Sequence, residues 1–276
     1  MKKTESIVSD CYLDGSRLYG DDFCLKEILQ WFDEESEGYA NLGAKNEDEY
    51  EYQYHAQNVS YGYRHIGNLE DMNVLSIGGA YGDELLPIVD KIRAVSIIEP
   101  SVQLRRESIG GIGIDYVDPE PSGKMLFKDN TFDLVTCFGV LHHIPNVSYV
   151  LSEIARVLSV GGVFLVREPI VSMGDWGKPR GNLTKNERGI PLALFEKMVG
   201  SAGLMVERRT LCYCKPFDRI FCRFVKRGKS PYNSSFYVRL DSILSKVFYP
   251  NYRYHADSVL KKIRPVGVFF VLRKRA

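Results

Sequence analysis

The stretch Asn73-Val74-Leu75-Ser76-Ile77-Gly78-Gly79-Ala80-Tyr81-Gly82-Asp83-Glu84 decides how the rest of the chain is read. It opens with a short apolar run of the kind a buried strand shows and breaks on three glycines. Leu85, Leu86, Val89 and Ile92 then recur at helical spacing. Strand, glycine turn and helix make the first half of a nucleotide-binding crossover. Glycine lets the main chain bend sharply and approach a ligand that a Cβ would hold off. A helix N-terminus offers unpaired N–H groups to an anion. A lone glycine cluster is also consistent with a plain tight turn, so the residues downstream decide.

Downstream, the alternation repeats. The run Ala94-Val95-Ser96-Ile97-Ile98 ends at Glu99-Pro100, and a carboxylate at the end of a second strand is placed to accept from both hydroxyls of a ribose. A third, weaker strand is predicted over 112–117, and then comes the turn-rich Asp118-Pro119-Glu120-Pro121. Asp118 or Asp115 would accept from an adenine amino group, and their spacing does not choose between them. Residues 132–138 read as a buried strand running into Gly139-Val140-Leu141-His142-His143. Ligands of open α/β sheets lie beyond the carboxyl ends of the strands, so Phe138, Gly139 and both histidines fall at the mouth. Asn146 or Ser148 caps the next helix, and Gly161-Gly162 leads into a strand ending at Arg167-Glu168-Pro169. Upstream, Asp21 or Asp22 caps a helix over 21–32. The tyrosine-rich segment 38–65 is either a lid over the site or part of the core.

Taken together these motifs resemble class I S-adenosylmethionine-dependent methyltransferases, and most closely the methyltransferase type 11 group. The residues that carry the resemblance are Val74 to Gly82, Leu126 to Val135, Leu141-His142-His143-Ile144-Pro145, and Arg156-Val157-Leu158 with Gly161-Gly162 and Glu168-Pro169. Two positions depart from the family pattern: Ser76 stands where an acid is usual, and Ala80 where a glycine is usual. The resemblance implies an α/β, Rossmann-like, doubly wound sheet of seven strands with the last one antiparallel. The strands over 205–211 and 266–272 would be the sixth and seventh. An N-terminal helical or lid segment, 1–68, would precede the methyltransferase domain, 69–276. A long insertion of about 212–265, with a helix over 242–248, would help cover the substrate. The implied cofactor is S-adenosyl-L-methionine, held by Gly78, Gly79, Ala80, Gly82, Glu99, Pro100, Asp118, Phe138 and Gly139.

Methyl transfer from a sulfonium is an in-line displacement, and a hydroxyl acceptor loses a proton as the bond forms. His143 is the first candidate base because imidazole titrates near neutrality, and His142 is the second; Glu168 and His255 are further candidates. A fainter likeness of 167–191 to enzymes of bacterial polysaccharide and glycoconjugate synthesis implies a small-molecule or sugar-containing substrate. Asp175, Trp176, Arg180 and Arg188 would contact it. Two readings compete. A nicotinamide-dependent oxidoreductase would share the glycine turn and Glu99, but the spacing lacks G-x-G-x-x-G. A non-catalytic binding module would keep the fold alone.

Composition sets the outer limits. With 276 residues, 45% hydrophobic and a formal charge of +1, the chain is of ordinary globular type and not a general polyanion binder. Basic clusters at 223–229 and 273–275 read as solvated faces; a docking surface for a membrane-linked substrate is the weaker alternative. No signal sequence, transmembrane run or C-x-x-C pair is visible, so reduced cysteines and a cytoplasmic location are expected. Cys212, Cys214 and Cys222 are at most a partial metal site, and no metal centre is expected.

Overall fold

The computed structural model describes residues 10–39, 50–174, 180–181, 183–223, 230–256 and 258–275. Its sheet is built from β1 (Met72–Ile77), β2 (Ile92–Ile98), β3 (Ser108–Ile109), β4 (Ile112–Val117), β5 (Phe132–Phe138), β6 (Leu158–Pro169), β7 (Leu204–Lys215) and β8 (Arg264–Lys274). The spatial order is β3-β4-β2-β1-β5-β6-β8-β7. Strands β4, β2, β1, β5 and β6 run parallel, while β8 is antiparallel to both β6 and β7. This is the expected seven-stranded, doubly wound sheet with its last strand reversed. The addition is β3, which pairs antiparallel with β4 through Gly110-Gly111. Both glycines have positive φ, as a two-residue hairpin turn requires.

The helices are α1 (Asp10–Leu13), α2 (Leu25–Tyr39), α3 (His55–Tyr61), α4 (Val147–Val157), α5 (Leu192–Ser201), α6 (Phe217–Cys222) and α7 (Ser235–Val247). Alternate residues of the central strands feed opposite faces, because strand side chains have period two. Leu75, Ile77, Val135, Phe164, Val166 and Phe270 pack with Leu151, Ile154, Phe195 and Val199 from α4 and α5. Val74, Leu134, Val163, Leu165, Phe269 and Val271 pack on the other face with Tyr61, Leu85, Ile88, Tyr237 and Val238. Burial on both faces explains why these strands read as near-continuous apolar runs.

Several local expectations change. The segment after the glycine turn is a 3-10 helix, Asp83–Lys91, and Ile92 already belongs to β2. Pro87 lies inside it, has no N–H to give an i−4 carbonyl, and crowds the preceding turn. Helix α2 starts four residues later than Asp21 and runs on to Tyr39, its first turn closed by Glu27 accepting the Cys24 N–H at 2.8 Å. Asp21 caps a different helix: it accepts the Ser148 N–H at 2.7 Å and hydroxyl at 2.6 Å at the start of α4. Between β7 and β8 the insertion shrinks to 216–263 because both strands extend into it, and its main helix is α7. Buried Asp241 on α7 accepts the Tyr213 and Cys214 N–H groups, each at 2.8 Å, and ties the insertion to the end of β7.

Candidate active site

A cleft of about 340 Å³ opens beyond the carboxyl ends of β1, β2, β4 and β5. Its floor is Gly78, Ala80, Glu99, Pro100, Phe138 and Gly139, and its far wall is the loop from Asp118 to Leu126. These are seven of the nine residues expected to hold a cofactor. Gly79 and Gly82 do not line the cleft. They shape the turn that does. A Cβ on Gly79 would lie 2.1 Å from Ser76 Oγ and 2.5 Å from Glu84 Oε1, and Gly82 adopts φ +78°. Gly78 has φ +64°, and a Cβ there would meet Val140 Cγ2 at 2.5 Å. Ala80 takes φ +48°, a left-handed conformation that costs a residue with a Cβ about 1–2 kcal/mol.

Glu99 is buried and accepts two main-chain N–H groups, from Ala80 at 3.1 Å and Ser101 at 3.0 Å. Burial pushes its carboxyl up, against the pull of those two bonds. One carboxylate thereby links the glycine turn of β1 to the end of β2. Asp118 lines the rim, with an exposed side chain paired to Arg105. Asp115 stands exposed on β4, away from the cleft lining.

A buried acid stands against Ser76. Buried Glu84, at the start of the 3-10 helix, accepts the Ser76 hydroxyl, and burial raises its carboxyl to about 7. Sequence reading missed it because the two positions are eight residues apart. Only the 3-10 geometry of the turn folds one onto the other.

The histidine wall is built from four separate segments. Glu168, buried at the end of β6, accepts the N–H groups of Val140, Leu141 and His142 at 2.9, 2.8 and 3.3 Å, and meets His142 Nδ1 at 2.7 Å. It therefore holds the loop after β5. His142 Nε2 faces Glu187 at 3.5 Å. Burial works against the charged ring, but Glu168 and Glu187 prevail and lift His142 to about 9. His142 does not line the cleft. His143 does line it, and its Nδ1 meets Glu35 at 3.0 Å. Burial and the neighbouring His142 charge push His143 below the usual imidazole range, so it is neutral at pH 7. Potential ligand atoms of His142, His143 and Glu187 lie within 4.8 Å of one another, a cluster the sequence did not reveal.

Helix α2 forms the cover, with Trp31, Phe32 and Glu35 lining the cleft and Trp31 Nε1 donating to the His143 carbonyl at 2.7 Å. No residue of 50–65 and none of the described residues of 212–265 lines the cleft. Tyr61 and Tyr63 go into the core instead, and Tyr50 packs on Tyr81. Arg188, expected to meet substrate, is fully buried and donates to the carbonyls of Tyr19, Leu141, His142, Ile144 and Pro145. Arg180 likewise holds the carbonyls of Met173, Thr184, Lys185 and Glu187. Asp175 and Trp176 lie outside the described residues. His255 bonds Ser172 at 2.8 Å, away from the cleft lining. Cys212 and Cys214 are buried and Cys222 exposed, and among the described residues they form no metal-binding group. No described helix is long and apolar enough to cross a membrane.

Comparison with known proteins gives the cleft a context. Residues 75–166 match the family described as "Methyltransferase domain", type 11. The sterol 4-C-methyltransferase strm-1 of Caenorhabditis elegans is 32% identical over 115 residues, 40% of this chain and 34% of that protein. The ubiquinone/menaquinone biosynthesis C-methyltransferase UbiE of Stenotrophomonas maltophilia (strain K279a) is 31% identical over 116 residues, 38% of this chain and 46% of that protein. The chain thus spans less than half the length of these relatives. Among solved structures, the Bacillus halodurans protein BH2331 superposes with TM-score 0.51 at 19% identity, covering 77% of this chain and 97% of that one. A Haemonchus contortus phosphoethanolamine N-methyltransferase 2, complexed with phosphomonomethylethanolamine and S-adenosylhomocysteine, superposes with TM-score 0.50 at 17% identity, covering 80% and 52%. At such identities the structural likeness speaks for the fold alone.

Proposed function

From the match of residues 75–166 to a methyltransferase-domain family, we propose that this chain is a class I S-adenosylmethionine-dependent methyltransferase of the type 11 group and that it methylates a small, largely apolar molecule at a hydroxyl. The single observation that carries the reading is the make-up of the cleft: bare main chain and a buried carboxylate at one end, a neutral imidazole at the other. Gly78 lines the cleft with bare main chain and has no room for a Cβ, and Gly79 keeps the turn behind it closed on Ser76 and Glu84. Glu99 would take the ribose hydroxyls, the Asp118 to Leu126 loop the adenine, and Glu84 with Ser76 would stand behind the amino-acid end of the cofactor. Bound there, S-adenosylmethionine supplies an electrophilic methyl on a sulfonium.

The chain's own residues then have three tasks. Phe138, Gly139 and Val140 set the approach of the acceptor, and a misplacement of about 1 Å at such a point costs on the order of a hundredfold in rate. Trp31 and Phe32 exclude water. His143, neutral and oriented through Nδ1 by Glu35, takes the acceptor's proton; its lowered pKa keeps the lone pair available at neutral pH. His142, Glu168 and Arg188 position that imidazole and stay out of the chemistry.

The two relatives, both named C-methyltransferases, favour a second reading, methylation at carbon. The same proton acceptor serves both. A sugar-containing acceptor draws no support from Arg180 or Arg188, whose donors are spent on main-chain carbonyls.

Titration calorimetry with S-adenosylhomocysteine and, separately, NAD tests the reading. Binding of the first alone is the expected result. Binding of NAD alone would mean an oxidoreductase, and binding of neither a fold without the chemistry.

A further inference from the structure

Helix α7 buries one face and leaves the other uncovered. Tyr237, Val238, Asp241 and Ser245 point inward and are buried. On the opposite side Phe236, Ile243 and Val247 are 73%, 59% and 63% exposed. At about 100° per residue these three fall within roughly 40° of one another, a single stripe along the helix. Arg239 and Lys246, both exposed, flank it on one side. Just beyond the helix, Asn251 Nδ2 holds the carbonyls of Leu260 and Ile263 at 2.9 and 2.8 Å, keeping a turn near the end of α7. On that turn Val259 and Leu260 are 80% and 77% exposed, with exposed Lys262 beside them. Scattered surface leucines need no explanation, but an aligned apolar stripe with a basic border does.

We propose that this face of α7, with Val259 and Leu260, docks on an anionic lipid bilayer. An apolar stripe bordered by Lys and Arg on a helix lying flat is the pattern that seats in the headgroup boundary. The charge distribution selects this occupant over a second copy of the chain. Between residues 230 and 275 the only acids are Asp241 and Asp257. Asp241 is buried on the far face, where it accepts the Tyr213 and Cys214 N–H groups, and Asp257 lies outside the described residues. A two-fold pairing of this face with itself would set Arg239 and Lys246 against their own kind, whereas an anionic headgroup layer complements them. The surface belongs to the insertion after the carboxyl end of β7. The docking does not depend on the methyl-transfer reading.

Flotation of the full chain with vesicles of phosphatidylcholine alone, or with roughly 30 mol% phosphatidylglycerol, tests it. The expected result is partition into the anionic vesicles only, weakened by salt. Phe236→Glu with Ile243→Glu should lower it by roughly twentyfold or more. Arg239→Glu with Lys246→Glu should lower it by about fivefold per residue. As a gain of signal, Val247→Trp should blue-shift on adding anionic vesicles. Equal binding to both vesicle types, an unshifted Val247→Trp spectrum, or binding that both double variants leave unchanged would overturn the proposal. A sedimentation dimer dissociated by Ile243→Glu would also overturn it, by giving the face to a second copy.

Discussion

The two ends of the cleft are made in different ways. At the glycine turn, Gly78, Ala80 and Glu99 lie within 22 consecutive residues and are tied by main-chain contacts to one another. At the histidine wall, His143 depends on Glu35 from α2, Glu168 from β6, and Glu187 and Arg188 from the loop before α5. The first end is a local device whose geometry comes from glycine and from the ends of adjacent parallel strands. The second is an assembled device in which each group is placed by a distant partner. A change at the first should act on ligand binding with little need of context. A change at the second should propagate through the network.

The largest effect is expected where the local end has no slack. Gly79→Val puts carbon atoms on Ser76 Oγ and Glu84 Oε1; affinity for S-adenosylhomocysteine in calorimetry should fall by more than about a hundredfold, with a stability loss on the order of 3 kcal/mol. Retained affinity would break the idea of a bare main-chain cradle. Next, Arg188→Met removes charged donors from buried carbonyls of the loop after β5 and should cost about 3 kcal/mol in denaturant unfolding. It should also slow turnover, since His143 loses its platform. If stability drops but the kinetics do not move, the histidine wall works without its distant support and the contrast between the two ends fails.

His143→Gln should lower kcat by about a hundredfold and leave cofactor affinity within twofold, a split that a purely structural histidine would not show. In the parent enzyme kcat should be flat above neutrality and decline only as pH drops through the depressed His143 pKa. His142 gives a stability signature instead. Folded His142 keeps its proton to about pH 9, whereas a free imidazole releases it near 6.5. The folded state binds more protons between those values. Its stabilisation is therefore full below about pH 6.5 and is lost as pH rises through 9, by no more than about 3 kcal/mol. His142→Gln should flatten that slope. The smallest effect is reserved for the rim: Asp118→Asn, with an exposed side chain, should change affinity by less than about threefold.

Much of the fold was legible. The strand over 112–117 and the strand over 132–138 have the expected bounds because apolar runs between turn residues have few alternative readings. Hidden from view were features that depend on partners far along the chain. Asp21 reads as a local cap and serves α4, 127 positions on. Arg188 looks like a substrate contact and is the buried post under the histidine loop. The tyrosine-rich segment reads equally as lid or core; Tyr61 and Tyr63 are core, and α2, whose helical period gives no hint of what it faces, covers the cleft.

The sequence by itself determined the architecture, the glycine turn and the acid at the end of the second strand, because strand and turn preferences act between near neighbours and three ordered motifs seldom coincide by accident. Only the tertiary structure decided which histidine is neutral and which is charged. A pKa reports the burial and the charges within a few ångströms, and Glu35, Glu168 and Glu187 come that close only once the chain has closed on itself.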